Sequence, residues 1–326
     1  MFNRLVMVVS VFACAAAGVH AEDILSSGSE ATAAADANAG PASTAPADGP
    51  GQDGGGAARA LPTPADSFLD RWRRRADAAK ASQPHWMTPL ATVTPRLEQE
   101  FRYDQFGEHL GNGGHMDVYD GGKGLELIPT DSNEILINLP PYQERYRVKP
   151  GKGFNDWTFL VVKQRFLSAN EDHGNYIVTG FLGFQAPTGV ALFTNHAWVI
   201  TPTLAAGKGW GRFDVQATLG VPIPVTNEAG VGVQVTNNVA FQYHLGKLFW
   251  PELEFNTTWW VDGPREGKVQ TFVTPGLIIG RIPLVNGTKL IIGAGYQIAV
   301  APRQVLKPVL TPTYQNAYLI STRVSF

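Results

Sequence analysis

The sequence predicts an all-β fold, a transmembrane antiparallel β-barrel of about twelve strands, and three observations support it. Between residues 94 and 326, apolar and polar residues alternate with a period of two, as in strands that have one apolar and one polar face. Several of these stretches reach about ten residues, the length that a tilted strand needs to cross a bilayer. The chain ends on Phe326, preceded by Tyr318, as in strands whose aromatic residues lie at the membrane interfaces.

The first residues, 1–21, are predicted to be a secretory signal peptide. Arg4 gives a positive start, an apolar stretch follows, and Val19-His20-Ala21 fits a cleavage site with small residues. The single cysteine of the chain, Cys14, lies in this segment, so the mature chain would contain no disulfide or thiol chemistry. Export leaves the periplasm, the outer membrane or the exterior, and the barrel pattern favours the outer membrane of a Gram-negative cell.

Residues 22–65 are predicted to be a disordered linker. Ala, Gly, Ser, Pro and Asp dominate this segment, and it has almost no large apolar side chain to bury. Burial therefore cannot offset the entropy that ordering the segment would cost.

Residues 66–83 are predicted to form one short amphipathic helix. Ser67 and Asp70 make an approximate capping box, and Pro84 ends the helix. Apolar residues recur at helical spacing: Phe68, Leu69, Trp72, Ala76 and Ala79. Such a helix can lie on a membrane surface or enter the barrel mouth as a plug. We favour a third arrangement, in which the helix rests on the periplasmic edge of the barrel.

Residues 94–326 are predicted to form the barrel itself. The expected strands are 94–106, 123–129, 134–141, 155–167, 175–186, 196–206, 211–225, 232–245, 248–261, 267–283, 287–301 and 311–326. With both termini in the periplasm, the turns on that side are short, at 130–133, 170–174, 207–209, 246–247 and 285–286. The outer links include longer ones, at 107–122, 142–154, 187–195 and 302–310. A soluble barrel has no reason to alternate short and long links, so the apolar face is predicted to meet lipid.

The polar face of the predicted strands is expected to line the lumen. The lumen-lining candidates are Glu98, Glu100, Arg102, Asp104, Gln242, Glu252, Glu254, Gln297 and Arg323. Buried charges are tolerated only when they are paired with an opposite charge or are in contact with water. These residues therefore either line a water-filled pore or lock the lumen shut in an ion-pair network, and the sequence leaves both alternatives open.

Catalytic chemistry finds little support in the sequence. The neighbours Asp172 and His173 fall in a predicted turn, and His115, with Asp117 nearby, lies in a Gly-rich outer link. His196 has no Ser-Asn-Gly type segment to supply a serine nucleophile. No catalytic residue, cofactor or metal site is therefore predicted.

Residues 96–326 resemble the outer-membrane transporters of the meta-pathway phenol-degradation family. The resemblance lies in Leu97-Glu98-Gln99-Glu100-Phe101-Arg102-Tyr103, in Gly122-Lys123-Gly124-Leu125-Glu126-Leu127-Ile128-Pro129, in Asn138-Leu139-Pro140-Pro141-Tyr142 and in the last strand. It implies uptake of small hydrophobic or aromatic compounds across the outer membrane. It supplies no catalytic signature.

The predicted function is therefore passive uptake of small hydrophobic or aromatic solutes through an outer-membrane channel. One alternative is an outer-membrane enzyme, a lipid or peptide hydrolase that uses outer-loop His and Asp residues. Another is a closed structural barrel whose linker and helix bind a periplasmic partner. The expected partners are small-molecule solutes, outer-membrane lipid and the assembly machinery that reads the C-terminal strand. A formal net charge of −2 gives no reason to expect nucleic acid binding.

Overall fold

The computed structural model describes residues 67–301, except 112 and 121–122, together with residues 314–326. The predicted signal peptide, the whole predicted linker and the outer link at 302–310 lie outside the described residues. None of the described helices is long and apolar enough to cross a membrane.

The described residues form two α-helices, three short 3-10 helices and a sheet of sixteen strands. The helices are α1 (Phe68–Ala81) and α2 (Glu228–Val231), and the 3-10 helices are Glu171–His173, Gly263–Arg265 and Val285–Gly287. The first eight strands are β1 (Glu100–Leu110), β2 (His115–Tyr119), β3 (Gly124–Leu127), β4 (Asn133–Asn138), β5 (Tyr142–Tyr146), β6 (Gly151–Phe154), β7 (Trp157–Ala169) and β8 (Tyr176–Ala186). The remaining eight are β9 (Val199–Trp210), β10 (Phe213–Gly220), β11 (Ile223–Pro224), β12 (Gln234–Tyr243), β13 (Phe249–Trp260), β14 (Val269–Pro283), β15 (Lys289–Ala301) and β16 (Tyr314–Ser325).

Twelve of these strands close into an antiparallel barrel, which confirms the predicted fold class. Their order is β1, β3, β4, β7, β8, β9, β10, β12, β13, β14, β15 and β16. The barrel closes where β16 pairs with β1, from Glu100 opposite Ser325 to Leu110 opposite Tyr314. Closure leaves no free edge in this ring of strands.

The apolar residues of the barrel face outward and the polar residues face the lumen. In β10 and the residues after it, Phe213 and Ile223 are each 38% exposed, whereas Asp214 is 1% and Gln216 0% exposed. On β16, Ile320 is 46% exposed. An outer surface of exposed apolar side chains around a polar interior is the arrangement of a barrel that has lipid as its solvent.

Replacing Leu253 with Lys tests which side of the sheet meets lipid. Leu253 lies in the middle of β13 and is 38% exposed. A lysine near the bilayer midplane costs about 2–4 kcal/mol of stability. We expect L253K to lower the unfolding midpoint in urea when the protein is folded into lipid vesicles. Val285→Lys, in a turn where Val285 is 77% exposed, should leave the midpoint unchanged. Equal losses in both variants would contradict a lipid-facing Leu253.

Both ends of the described barrel chain, Glu100 and Ser325, lie at one end of the barrel, here called the terminal end. The turns at this end are short, as predicted. At the opposite end, the loop end, β1 continues past the ring of strands and pairs with β2, which in turn pairs with β5 and β5 with β6. The links predicted at 107–122 and 142–154 are therefore partly strands.

Two predicted boundaries need correction for a structural reason. The first strand begins at Glu100, not at residue 94, because Thr94, Arg96, Leu97 and Glu98 bond to groups inside the barrel instead of to a neighbouring strand. The turn predicted at 207–209 belongs to β9, and the chain reverses at Gly211, which has a φ of 62°. Glycine adopts this left-handed conformation without the steric cost that a side chain brings.

Helix α1 packs on the terminal end of the barrel. The Ser67 side chain caps its first turn by accepting a hydrogen bond from the Asp70 N–H at 3.1 Å. On its inner face, Ala76 and Ala79 pack against Leu97 and Ile128 in one buried cluster. The helix thus lies where a helix on the barrel edge is expected, but the chain that follows it enters the barrel.

Candidate functional site: a chain segment inside the lumen

Residues 82–99, here called the plug, run from α1 into the lumen and back to β1. The two limbs are joined near the barrel entrance, where the Gln83 side chain donates to the Leu97 carbonyl at 2.7 Å and accepts from the Leu97 N–H at 2.9 Å. At the tip, Leu90 and Thr92 are fully buried, and Ala91 between them is partly buried. The plug has no regular secondary structure of its own, so its main-chain groups must find partners elsewhere.

Two arginines of the wall donate to main-chain carbonyls of the plug. Arg323 donates to the Thr88 carbonyl at 2.5 Å and to the Pro89 carbonyl at 2.8 Å. Arg102 donates to the Pro89 carbonyl at 3.2 Å and to the Leu90 carbonyl. Three consecutive carbonyls are thus held by two guanidinium groups that are each 1% exposed.

Other wall side chains extend this pattern toward the entrance. Gln216 donates to the Met87 carbonyl at 2.8 Å, and Lys163 donates to the Arg96 carbonyl at 2.8 Å. Arg281 donates to the carbonyls of His85 and Trp86 at 2.6 and 2.8 Å. Hydrogen bonds that involve a charged partner contribute about 1.5–3 kcal/mol each, roughly twice a neutral bond.

Two glutamates of β13 accept from main-chain N–H groups at the tip. Glu252 accepts from the Leu90 N–H at 3.1 Å. Glu254 accepts from the Ala91 N–H at 2.7 Å and from the Thr92 N–H at 2.6 Å, one with each carboxylate oxygen. Cations therefore meet the carbonyls of the plug, and carboxylates meet its amides.

The Leu90 side chain occupies a socket made by glycines of β14 and β15. A Cβ added to Gly276 would lie 2.5 Å from Leu90 Cδ1, and one added to Gly295 would lie 2.9 Å from the same atom. A Cβ on Gly293 would come closer still, to Leu90 Cδ2. Only the absence of side chains on these inward-facing positions gives Leu90 its space.

The buried charges of the wall are also paired with one another. Arg102 and Asp104 are 2.9 Å apart, and Lys163 and Glu134 are 2.9 Å apart. All four side chains are at most 1% exposed. Burial of such charges is costly unless partners and hydrogen bonds compensate for the lost water. These four side chains form ion pairs, as in the second of the two alternatives from the sequence, and Arg102, Lys163 and Glu134 also bind the plug.

The predicted position of Glu98 is corrected by the structure, because this residue lies in the plug and not on the first strand. Its Oε1 accepts from the Thr88 hydroxyl at 2.9 Å and pairs with Arg96 at 3.0 Å, and its N–H donates to Glu134 at 2.5 Å. It therefore binds the two limbs of the plug together and to the wall.

The remaining predicted candidates lie on the inward faces of barrel strands. Gln242 donates to Glu252 at 2.7 Å, and Gln297 donates to Asn256 at 3.1 Å. Glu100 is 1% exposed, and its Oε1 has no hydrogen-bond partner. Gln242 thus reaches the plug through Glu252, whose carboxylate it helps to position.

Beyond the tip of the plug, the lumen holds a cavity of about 470 Å³. Leu90 and Ala91 lie on its plug side. Its apolar wall includes Phe106, Phe181, Phe184 and Phe272, and its polar wall includes Thr158, Thr201, Thr203, Asn138, Asn238 and Gln297. The plug therefore separates this cavity from the terminal end.

The entrance to the plug is fastened by Glu171, in the turn after β7. Its carboxylate accepts from the His85 N–H at 2.6 Å and bonds to the His85 ring at 2.8 Å. Partial burial raises the pKa of Glu171, but these bonds with His85 outweigh it and hold the pKa at about 2. Because this pKa is below the ordinary 4.5, the contact contributes fully above pH 4.5 and is lost as the pH falls toward 2.

Replacing Glu171 with Gln tests this fastening. At pH 6 we expect faster amide hydrogen exchange in residues 83–92 of E171Q than in the wild type, because the ionised acceptor is gone. At pH 3 the difference should shrink, because the wild-type carboxylate itself becomes protonated during opening. Mass spectrometry at each pH, corrected for intrinsic exchange, measures the difference. A difference of equal size at both pH values would contradict the account.

The histidines considered for catalysis lie apart from the plug. The His115 ring contacts Asp117 at 2.9 Å on β2, at the loop end. His173 contacts the Asn170 side chain at 2.7 Å in a turn at the terminal end. His196 adopts a φ of 54° in the link between β8 and β9. Among the described residues, no group of three or more His, Cys, Asp or Glu is placed to hold a metal ion.

Sequence reasoning missed the plug and several of its wall contacts. The missed wall residues are Glu134, Gln216, Arg281 and Glu171. One available signal was the stretch from Pro84 to Pro95, which is apolar and proline-containing but lacks the alternation of a strand. Another was the row of inward-facing glycines on β14 and β15, which leaves room for something inside.

Comparisons with known proteins give distant similarities in fold. An outer membrane channel from Pseudomonas putida F1 is 14% identical, with a TM-score of 0.46 over 69% of this chain and 92% of its own. The NanC porin is 10% identical, with a TM-score of 0.43 over 69% of this chain and 98% of its own. OmpT, an outer membrane protein of Vibrio cholerae, is 10% identical, with a TM-score of 0.32 over 70% of this chain and 95% of its own. No family model and no curated protein matches the chain. At such low similarity, function has to be inferred from this chain's own residues.

Proposed function

We propose that this chain is an outer-membrane channel for passive uptake of small solutes and that the plug closes it at rest. The observation that carries the proposal is the plug itself. It fills a polar lumen through hydrogen bonds, ion pairs and apolar contacts, all of which are reversible. A segment that leaves the lumen would connect the terminal end with the cavity beyond Leu90.

The orientation of the barrel in the membrane follows from the ordinary arrangement of outer-membrane barrels, which have short periplasmic turns and longer outer loops. The terminal end, with α1 and the short turns, is then periplasmic, and the loop end with β2, β5 and β6 faces outward. A solute would enter the cavity from outside, and it would reach the periplasmic end only after the plug leaves the lumen. The exposed Ile320, Tyr318 and Phe326 of the last strand would face lipid.

Small hydrophobic or aromatic solutes are the class we propose. Support comes from the family resemblance of the sequence and from the phenylalanines of the cavity. Phe181 on β8 and Phe272 on β14 are buried side chains that line the cavity, while threonines and amides can bind a polar substituent. A cavity of about 470 Å³ suits one small molecule at a time.

Solute flux into liposomes tests the proposal. The wild type and a plug-weakened variant, Glu254→Gln, are compared with a series of neutral solutes graded by size and by aromatic content. We expect slow flux in the wild type, faster flux in the variant, and faster entry of a one-ring aromatic than of a sugar alcohol of similar mass. Equal entry of both solutes would contradict the aromatic class but not the channel.

A closed structural barrel is the second candidate, and the density of plug contacts favours it. Arg102, Arg323, Glu252 and Glu254 together hold the tip on both its carbonyl and amide sides. If neither the wild type nor any plug variant passes a solute, the barrel is structural and the channel proposal is wrong. The hydrolase alternative has no comparable support, because the candidate histidines do not meet a nucleophile among the described residues.

A further inference from the structure

The wall of the lumen bonds to the main chain of the plug far more than to its side chains. From His85 to Leu90, every carbonyl accepts from a wall side chain. From Leu90 to Thr92, every N–H donates to a wall carboxylate. Main-chain groups are common to all peptides, so these contacts do not depend on the sequence of the plug.

The wall also matches the one main-chain N–H that is missing between His85 and Thr92. Pro89 has no N–H, and its carbonyl accepts from both Arg102 and Arg323. Cations thus face the acceptors, carboxylates face the donors, and no acceptor is needed at the proline. A channel for small apolar solutes gains nothing from this arrangement by itself.

Selectivity for particular side chains of the plug comes from inward-facing glycines of the wall, which leave space that a larger residue would fill. Leu90 enters the socket of Gly276, Gly293 and Gly295. Two other plug side chains pack on inward-facing glycines: Trp86 on Gly207 and Gly209, and Met87 on Gly280. The wall therefore favours an aromatic residue, then an apolar residue, then after two further residues a leucine.

We propose that this wall is a peptide-binding site, that the plug is its internal ligand, and that short peptides with this pattern compete with the plug. This inference rests on one part of the proposed function, namely that the plug can leave its site in the lumen. The tethered plug has an effective concentration in about the millimolar range or above, so free peptides bind the wild type weakly. Binding becomes measurable once the plug, and not the wall, is weakened.

The test uses the full chain carrying Leu90→Asp, which leaves every wall residue unchanged. A fluorescent peptide with the sequence of residues 84–93, acetylated and amidated, is titrated with the protein in detergent, and its anisotropy is followed. A second peptide carries Asp at the position of Leu90. We expect the native peptide to bind L90D more tightly than the wild type, and the Asp peptide to bind about ten- to a hundred-fold more weakly than the native one.

Further arms separate the outcomes. Adding Glu254→Gln to L90D should weaken binding of the native peptide, because two amides lose an ionised acceptor. If L90D fails to assemble, Leu90→Gly serves with the same peptides. No binding of the native peptide, or equal binding of both peptides, overturns the inference. Conductance of L90D in planar bilayers is a separate readout: its absence contradicts the channel, whatever the peptides do.

Discussion

Replacing Glu254 with Gln is expected to raise the fraction of open channels by about 30- to 150-fold. Glu254 accepts from the N–H groups of Ala91 and Thr92 at the tip of the plug, where Thr92 is fully buried and Ala91 partly buried. The amide of Gln can accept only one of these bonds and turns a donor toward the other N–H. Leaving one buried donor unsatisfied costs about 2–3 kcal/mol of plug docking, which corresponds to that change in population.

Single-channel recording in planar bilayers measures the open fraction. Glu108→Gln is the matched control, because Glu108 is also a buried carboxyl group of the wall, on β1, and makes no hydrogen bond to the plug among the described residues. E108Q should open as rarely as the wild type. Equal opening of E254Q and the wild type, or equal opening of E254Q and E108Q, would show that the tip is not held by this carboxylate.

Filling the glycine socket is expected to open the channel without any change in charge. In the double variant Gly276→Ala and Gly293→Ala, two methyl groups occupy space that Leu90 holds. Leu90 is fully buried and surrounded on this side by three glycines, so it cannot simply rotate away. Overpacking of this kind costs about 1–3 kcal/mol, and the plug rather than the barrel should yield, because it has no strand pairing.

The control for the socket is Gly183→Ala, which also adds a methyl group inside the lumen. Its Cβ would lie 3.7 Å from Thr201 and from Val161, which is ordinary contact, so the channel should stay closed. Adding Leu90→Ala to the double variant should restore part of the closure, since it removes the clashing atoms. If all three variants behave alike in single-channel recordings, the socket does not hold the plug.

The barrel could be predicted from the sequence because each strand carries its own signal. The alternation around Phe213 and Ile223 indicates which residues share a face, and the even number of strands follows from the pattern of short and long links. These are local properties of period two, and they survive without knowledge of any neighbour. The outward orientation of the apolar face is confirmed by the exposure of Ile320 and Leu253.

The plug could not be predicted in the same way, because its conformation is set by partners far away in sequence. Leu90 and Glu252 are 162 residues apart, and Thr88 and Arg323 are 235 apart. Residues 94–99 even continue the polar–apolar alternation of β1, which is why Glu98 is misplaced on that strand. Selecting charged residues on the inner face did find Arg102, Glu254 and Arg323, since a buried charge needs a partner whatever that partner is.

The accessibility of Thr92 tests most directly whether the plug fills the lumen. With Cys14, the single native cysteine, replaced by Ser, a cysteine is placed at Thr92, which is 0% exposed, or at Val285, which is 77% exposed. A membrane-impermeant maleimide is added to both sides of proteoliposomes, and labelling is followed by mass spectrometry. We expect rapid labelling of V285C, very slow labelling of T92C, and faster labelling of T92C when Glu254 is also replaced with Gln. Labelling of T92C as fast as that of V285C would contradict a plug that fills the lumen.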